Sequence, residues 1–187
     1  MKATNRLEPE DWIKAASRAL TLDGHAAIKV EKIARDLGVT KGSFYWHFKD
    51  LKALQHAMLE HWEIITTDEI IAAAENSEDG LESILLGIMT YALIAPPEDY
   101  GGPGAESAIR EWARHDDIVQ DCLRRVDARR LSFLKSQFRK HGFNASDAEQ
   151  KTAMFYSTVI GAGWLSNTTN IKLKTLEWFI RNLLAKN

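Results

Sequence analysis

Apolar side chains recur along this chain every three or four residues, the spacing that places them on one face of a helix. The first stripe follows Pro9, a residue suited to the first helical position, and contains Trp12, Ile13, Ala16, Ala19 and Leu20. Two short helices are predicted next, over 30–37 and 41–47. Gly38 is a natural stop for the earlier one, and Thr40 can cap the later one.

Six further helices complete the pattern. Asp50 can cap a long fourth helix that extends to about Ile65, and a capping box from Ser146 to Glu149 opens the eighth. The fifth helix carries apolar residues from Leu81 to Tyr91, and the sixth to ninth helices are predicted at about 105–114, 117–140, 146–166 and 172–184. A Pro- and Gly-rich segment, 95–104, is the strongest loop signal. Because no segment alternates as a strand does, the chain is predicted to be all-α with about nine helices.

The pattern of residues 29–54 predicts both a local structure and a set of candidate functional residues. Gly38 and Val39 separate two short helices, so the segment is predicted to form a helical corner in which Val39 fills the angle. Four apolar side chains hold the corner: Ile33, Leu37, Phe44 and Phe48. Its second helix begins with the small or polar residues 40–43, which allow close approach to the floor of a DNA groove. Hydrogen-bond donors for phosphates follow, from Tyr45, His47 and Lys49.

This segment closely resembles the helix-turn-helix of the tetracycline-repressor (TetR) family of transcriptional regulators. The matching positions are Val30, Ile33, Ala34, the unbroken stretch from Leu37 to Lys49, and Leu54, and the resemblance extends over about 9–60. It implies an N-terminal three-helix DNA-binding domain, 1–50, with its helix-turn-helix at about 29–48. It also implies a helical effector-binding and dimerisation domain, 51–187, and a homodimer that binds a palindromic DNA operator.

Each candidate DNA-binding residue has a predicted role. Base edges in the major groove are expected to meet Lys41, Gly42 and Ser43. Phosphates are expected to meet Thr40, Tyr45, His47 and Lys49. Trp46 is expected beside the DNA, either in contact with a sugar or thymine methyl or as a packing residue. The chain departs from the family pattern at Lys29, where Thr is common, and at Leu51, where Lys is common; Lys29 still suits a phosphate as a point charge.

Composition and charge are compatible with this interpretation. Hydrophobic residues make up 45% of the 187 residues, enough for a packed core, and the formal net charge is −2. Positive charge is concentrated where DNA is expected, since 29–52 contain six Lys or Arg against three Asp or Glu. Cys122 is the single cysteine, 1–9 lack the features of a secretory signal, and no apolar run reaches about 18 residues. The chain is therefore expected in the cytoplasm, without a membrane partner.

A homodimer is predicted because one helix-turn-helix covers too little DNA for operator-level affinity. The predicted interface is a four-helix contact built from the eighth and ninth helices of each chain. Its stripes are Phe155, Val159, Ala162 and Ser166 on the eighth helix and Leu173, Leu176, Ile180 and Leu183 on the ninth. Gly161 and Gly163 would let the helices approach closely. The alternative is that both stripes pack only against their own chain.

The resemblance further implies a cavity for a small-molecule effector among the C-terminal helices. Its predicted walls are mostly apolar or aromatic, so a hydrophobic or aromatic effector is expected. They are Trp62, Ile88, Tyr91, Ile109, Trp112, Val126, Met154 and Trp164, with Glu106 or Arg110 orienting the ligand. The fourth helix is the predicted link to the DNA-binding domain. The loop 95–104 is either a gate to the cavity or a plain connector.

Catalytic residues, cofactors and metal sites are not predicted. His115, Asp116 and Asp117 resemble a metal cluster, but a helix junction in which Asp116 or Asp117 caps the seventh helix is the preferred interpretation. The leading hypothesis is a repressor that its effector releases from DNA. A regulator without a ligand, or an activator, remains an alternative in the same class. In a different class, a helical interaction protein or enzyme would keep the corner without binding DNA.

Overall fold

A computed structural model describes residues 7–76, 78–94, 97–165 and 171–185. Nine α-helices and no strand occur in these ranges, which confirms the all-α prediction. They are α1 (Pro9–Asp23), α2 (Val30–Asp36), α3 (Lys41–Phe44), α4 (Leu51–Glu63, a π-helical turn Ile64–Asp68, and Glu69–Glu75), α5 (Leu81–Leu93), α6 (Ala105–Trp112), α7 (Asp117–Lys140), α8 (Ala145–Trp164) and α9 (Leu173–Leu184). Short 3₁₀ turns lie at His25–Ala27, Glu98–Tyr100 and Gly102–Gly104.

Side chains at the helix starts explain several of these bounds. Pro9 occupies the first turn of α1, and Asp50 caps α4 by accepting a hydrogen bond from a first-turn amide at 2.8 Å, as predicted. Asp116 caps α7 through two amides, which confirms the helix-junction interpretation of its acidic cluster. The start of α8 differs from the prediction, because Asn144 rather than Ser146 is the cap. Both residue types can cap a helix, and two positions separate them.

One π-helical turn, Ile64–Asp68, interrupts α4 and was not predicted from the sequence. A π turn holds one residue more than an α turn, and single turns of this kind inside α-helices are frequent at functional sites. Here the Thr66 hydroxyl donates to the Trp62 carbonyl at 2.7 Å, and Thr67 is almost fully buried. The turn therefore sets the angular offset between the two halves of α4.

The first hydrophobic core joins α1, α2 and α3, hereafter the three-helix unit, to helices of the C-terminal body. Trp12 and Phe44 are fully buried and meet edge to face, with ring centroids 5.3 Å apart. The core is continued from α4, α6 and the first half of α7 by Leu54, Met58, Trp62, Ile109, Trp112 and Val126. The three-helix unit is therefore packed against the C-terminal body through apolar contacts.

The second core lies among α5, the second half of α7, α8 and α9. Its fully buried side chains include Leu85, Phe138, Phe155 and Ile180. Because α7 contributes to both cores, one helix joins the two packed regions. Within the described ranges, no helix combines the length and the apolar character of a membrane span. The same ranges contain no group of three His, Cys, Asp or Glu arranged to hold a metal ion.

Candidate functional site

The helical corner forms between α2 and α3. Gly38 follows α2 in the left-handed region, at φ +70°, where other residues would be strained. The next amide, that of Val39, donates to the Ala34 carbonyl at 2.9 Å. Phe44 packs against both Trp12 and Phe48, which fixes α3 on α1. α3 is shorter than predicted: it ends at Phe44, and a turn replaces its expected last residues.

Polar and aromatic side chains of this corner reach solvent. Trp46 is 86% exposed and Tyr45 is 55% exposed, large values for aromatic residues. The other predicted DNA-binding residues are the exposed Lys29, Thr40, Lys41, Gly42 and Lys49 and the half-buried Ser43 and His47. His47 is partly covered because its ring lies 6.2 Å from that of Trp12. Each predicted residue therefore retains surface that a DNA duplex can contact.

Lys41 is held by an ion pair in this structure. Its Nζ lies 2.5 Å from Oε1 of Glu31, on α2, and both side chains are exposed. The hydrogen bond from Lys41 lowers the pKa of the Glu31 carboxyl, and the same contact raises the pKa of Lys41. Since a carboxylate repels the phosphate backbone, any contact between Lys41 and DNA must compete with this pair.

A cavity of about 120 Å³ lies between the two cores. It is enclosed by α4, α5, α7, α8 and the segment that leads into α6. Most of the wall is apolar, from residues such as Ile65, Ile88, Phe133, Phe155 and Val159. The polar wall residues are Thr66, Thr67, Tyr91, Tyr100, Glu106, Arg130 and Tyr156. An apolar space with a few polar groups at one end is the usual form of a small-molecule site.

The predicted effector residues divide into two groups. Trp62, Ile88, Tyr91 and Glu106 line the cavity. The others lie outside its wall, which corrects the predicted set. Ile109, Trp112 and Val126 belong to the first core. Met154 and Trp164 are exposed on the outer side of α8, and Arg110 stands behind Glu106, to which its Nε donates at 2.8 Å.

Arg130 forms the polar end of the cavity. Its side chain is 13% exposed, and each of its three nitrogens donates a hydrogen bond. Nε donates to the Thr67 hydroxyl at 2.9 Å and Nη2 to the Thr66 hydroxyl at 2.8 Å. Nη1 donates to the two oxygens of Glu106 at 3.1 and 3.2 Å. The guanidinium also lies 5.2 Å from the centre of the Trp62 ring, so α7 holds the π turn of α4 through one side chain.

Three further charged side chains join Arg130, and we call Glu106, Arg110, Asp127 and Arg130 the Arg–acid cluster. Arg110 binds Asp127 through two hydrogen bonds of 2.6 and 3.1 Å. The hydroxyl of Tyr156 donates to Asp127 at 2.6 Å and accepts from both arginines. Burial raises the pKa of Tyr156 to about 12, so the phenol remains neutral beside these charges.

Tyr100 connects the cavity to the three-helix unit. Its side chain lines the cavity, and its ring centroid lies 4.2 Å from that of His61 on α4. Its hydroxyl donates to Oε1 of Glu10, on α1, at 2.5 Å. Burial, together with this hydrogen bond, raises the pKa of Tyr100 to about 12, so the hydroxyl keeps its proton at neutral pH. Tyr100 therefore touches the cavity, α4 and α1.

Two glycines hold the segment 97–104, hereafter the strap, close to α1. A Cβ on Gly101 would come within 2.4 Å of the Thr21 hydroxyl, and one on Gly104 within 2.6 Å of the Thr21 methyl. Glycine at these positions therefore allows the strap to lie against α1. The loop predicted at 95–104 thus borders both the cavity and the three-helix unit; its residues 95 and 96 lie outside the described ranges.

The predicted dimer stripes are buried within the chain's own second core. Phe155, Leu176 and Ile180 have almost no exposed surface, and Val159 has little more. A side chain without exposed surface in one protomer cannot contact another, so the interface prediction is wrong at these positions. Phe155 and Val159 line the cavity instead. Of the remaining stripe residues, Leu183 is partly buried in the second core, Ala162 is half-buried, Leu173 is exposed and Ser166 lies outside the described residues.

The outer faces of α8 and α9 carry apolar side chains exposed to solvent. They are Met154 and Trp164 on α8 and Leu173 and Trp178 on α9. Helical spacing places the small, exposed residues Ser157 and Gly161 between Met154 and Trp164 on the same side of α8. The true apolar surface is therefore rotated away from the predicted stripe.

Arg130 is not among the cavity residues predicted from the sequence, although its position in the helical pattern of α7 contains a signal for it. Val126 and Leu134 lie four residues on either side and belong to the buried face of α7. A charged residue at a position where the helical period requires an apolar one indicates a buried polar group. The Thr66–Thr67 pair, to which Arg130 donates, had no comparable signal.

Comparison with known proteins supports the assignment of the corner. The profile described as "Bacterial regulatory proteins, tetR family" matches residues 13–58. Two curated proteins of Pseudomonas putida match over 82 residues: "Probable HTH-type transcriptional regulator ArpR" at 38% identity and "HTH-type transcriptional regulator TtgR" at 37%. Each match covers 44% of this chain and 37% of the relative, so the matched part spans little more than a third of the curated relatives' length.

Solved structures resemble nearly the whole chain. A TetR transcriptional regulator from Legionella pneumophila has a TM-score of 0.78 at 14% identity, covering 97% of this chain and 98% of that one. A TetR transcription regulator from Haloarcula marismortui has a TM-score of 0.71 at 21% identity, covering 94% and 95%. At these identities the likeness establishes the fold. The profile therefore assigns residues 13–58 to the TetR family of bacterial regulatory proteins, and the described chain as a whole has the fold of solved TetR regulators.

Proposed function

We propose that this chain is a homodimeric transcriptional repressor that binds a palindromic DNA operator and is released by a small, largely apolar effector. The observation that carries the proposal is the exposed corner between α2 and α3, which lies inside the family match. Tyr45 and Trp46 extend from it into solvent, in a segment rich in Lys and Arg. Exposed aromatic rings beside positive charge are suited to a duplex, which offers phosphates and groove edges together.

In this proposal α3 enters the major groove. The residues nearest to base edges are Lys41, Gly42 and Ser43. Phosphates on either side are contacted by Lys29, Thr40, Tyr45, His47 and Lys49. The exposure of Trp46 favours a contact with a sugar or a thymine methyl over the packing alternative, because its ring has little protein around it.

Gel-shift titrations test these roles, with a duplex selected from a random-sequence library and a scrambled version of it. Ser43→Ala is expected to change the sequence preference, whereas Tyr45→Ala and Lys49→Ala are expected to weaken binding to both duplexes. Lys49→Ala is also expected to reduce the salt dependence of binding. Lys140→Ala, at an exposed lysine that ends α7, is the matched control. Wild-type affinity in both Tyr45→Ala and Lys49→Ala would contradict the assignment.

Dimerisation through the outer faces of α8 and α9 is the second part of the proposal. Met154, Trp164 and Trp178 supply apolar area, and the small residues Ser157 and Gly161 allow two helices to approach closely. Two helices from each chain then form a four-helix contact with twofold symmetry. This arrangement allows two corners to meet successive major grooves, about 34–36 Å apart.

Sedimentation at micromolar concentration tests the dimer. The wild-type protein is expected at twice the 21.1 kDa mass of the chain. Trp178→Glu is expected to give the monomer, because it introduces two like charges at a twofold contact, and to weaken operator binding. Lys140→Glu, at an exposed lysine that ends α7 and lies outside this interface, controls for an added negative charge. A wild-type monomer would exclude this part of the proposal.

Effector release is the third part, and the position of the cavity supports it. The cavity is bordered by α4 and by the strap, and both also contact α1. A molecule that occupies the cavity therefore acts on two elements that hold the three-helix unit. Moving an operator from almost fully bound to almost fully free requires a preference of about 5.5 kcal/mol for the released state. A regulator of this fold from Saccharomonospora viridis, 14% identical with a TM-score of 0.76, was solved in complex with choline.

A thermal-shift screen of small apolar compounds, followed by gel shift, tests the effector role. Compounds that enter the cavity are expected to raise the melting temperature and to lower operator affinity. Ile88→Trp, which fills the cavity from α5, is expected to abolish both effects while DNA binding persists. Compounds that bind the wild-type cavity and leave operator affinity unchanged would exclude release as its function.

A further inference from the structure

We propose that the cavity selects an uncharged compound with a single ring that donates one hydrogen bond to Glu106 or Tyr91. The inference rests on the proposed effector role of the cavity and names the chemical class of the molecule that enters it. Three features carry it: the size of the cavity, the charge balance at its polar end, and the hydrogen-bond capacity that is left there.

The cavity has room for one ring. Its volume is about 120 Å³, close to that of a buried cavity of about 150 Å³ that admits benzene. Ile88, Phe133 and Val159 surround this space with apolar groups. A hydrocarbon ring makes van der Waals contacts with them, whereas a sugar or a nucleotide would leave several of its polar groups without partners.

The charges of the Arg–acid cluster cancel. Glu106 and Asp127 balance Arg110 and Arg130, and hydrogen bonds of 2.6 to 3.2 Å join the four side chains. A charged ligand would bring an additional charge without a counter-ion into this partly buried site. A carboxylate would be repelled by Glu106, and an ammonium group would be repelled by Arg130. A neutral molecule avoids both penalties.

The hydrogen-bond donors of Arg130 are already engaged by Glu106, Tyr156 and the π turn. On the acceptor side, Oε1 of Glu106 receives bonds from both arginines. Among the described residues, its Oε2 receives one from Arg130 alone. The Tyr91 hydroxyl donates to the Ile65 carbonyl at 3.1 Å, and within the described ranges its oxygen receives nothing in return. Apart from the proton of the Thr67 hydroxyl, on a side chain that is almost fully buried, what remains at the polar end is acceptor capacity.

A hydroxyl or amide N–H group of the ligand can donate to these unused acceptors. Glu106 and Tyr91 both line the cavity, so a donor on the ring can reach the lone pairs of either oxygen. Burial raises the pKa of Tyr91, which keeps its phenol protonated and its own bond to the π turn intact. A ligand that carries only acceptors finds the N–H groups of Arg130 occupied. The complementary molecule is therefore a neutral ring with one donor.

Four probes of similar size test the proposal on the full chain: toluene, p-cresol, benzoate and benzylammonium. Dissociation constants are measured by NMR titration at neutral pH. The p-cresol hydroxyl is expected to improve binding over toluene by about 3- to 10-fold, the range for one net hydrogen bond. Both charged probes are expected to bind more weakly than toluene. Ile88→Trp is expected to remove the binding of every probe, which locates it in the cavity.

Two variants assign the preference to named groups. Tyr91→Phe removes one acceptor with little change in shape and is expected to reduce p-cresol binding while toluene binding stays constant. Glu106→Gln leaves the cluster with one excess positive charge, so benzoate is expected to gain affinity relative to benzylammonium. If Glu106→Gln does not fold, Tyr91→Phe and the order of the four probes on the wild-type protein still decide the question.

The outcomes separate this inference from the proposed function. Tightest binding of benzoate or benzylammonium to the wild-type protein would overturn the inference and leave the cavity as a ligand site. Equal binding of toluene and p-cresol would overturn the role of the acceptors. If none of the four probes binds, the cavity is not a single-ring site and the inference fails, while gel shifts judge DNA binding independently.

Discussion

Replacing Thr67 with valine removes one hydroxyl from the π turn of α4 and leaves the shape of the side chain almost unchanged. In the native protein this hydroxyl accepts a hydrogen bond from Nε of Arg130 at 2.9 Å. Thr67 is 1% exposed, so little solvent reaches the position of the lost acceptor. The variant therefore leaves a charged N–H group without a partner in a buried position.

The expected loss follows from that geometry. A hydrogen bond to a charged group contributes about 1.5–3 kcal/mol when its partner is left buried and unpaired. For a chain of about this length, each kcal/mol lowers the melting temperature by about 2–4 °C, so a decrease of about 3–12 °C is expected. In urea, the unfolding midpoint is expected to fall while the slope stays constant, because the exposed area on unfolding does not change. Protein concentration is held fixed, since the stability of the proposed dimer would depend on it.

Two controls make the result specific. Thr175→Val makes the same chemical change at an exposed position of α9 and is expected to shift stability by less than about 0.5 kcal/mol. Arg130→Met removes the donor, so adding Thr67→Val to it is expected to cost much less than in the wild-type background. Equal stability of wild type and Thr67→Val, or full additivity with Arg130→Met, would refute the role assigned to this hydrogen bond.

Three further predictions follow from the same structure. Glu31→Gln is expected to strengthen binding to selected and scrambled duplexes alike in gel shifts, because it frees the lysine of α3 and removes a negative charge near DNA; unchanged affinity would count against the ion pair as a competitor. Tyr100→Phe keeps the cavity wall but removes the bond to Glu10, so ligand affinity is expected to persist while the ligand's effect on operator binding decreases; an unchanged effect would show that the strap is not a relay. Burial raises the pKa of Cys122, so iodoacetamide at pH 8 is expected to modify it slowly in the native protein and rapidly in guanidinium; equal rates would contradict its burial.

Most of the helical pattern was predictable because its signals are local. The predicted range of α7, 117–140, agrees with Asp117–Lys140 because an acidic cap precedes the helix and Gly142 follows it. Asp50 before α4 gave an equally clear start. Where two capping residues stand close together, as Asn144 and Ser146 do, the local pattern cannot choose between them. The helix-turn-helix was predictable for a related reason, since its corner depends on neighbours in sequence.

The cavity walls and the exposed face of α8 were not predictable in the same way. Helical spacing identifies residues that share a face, and Phe155 and Val159 do share one. It does not tell whether that face meets another helix of the chain, a cavity or a second copy. All three environments are apolar, so each of them favours apolar residues at these positions. Met154 and Trp164 show the converse, because their apolar character suggested an interior position that the structure does not give them.

Arg130 has one role in the cavity and another in the fold, and this limits which substitutions the protein can accept. The residue bounds the polar end of the cavity and also holds the π turn that sets the course of α4. Because α4 contacts α1, a substitution at Arg130 that alters ligand preference also alters the support of the three-helix unit. Ile88 and Val159 line the same cavity with purely apolar side chains. Under the proposed function, ligand preference can therefore be varied at these two positions with little effect on α4, whereas at Arg130 ligand preference and DNA release are expected to change together.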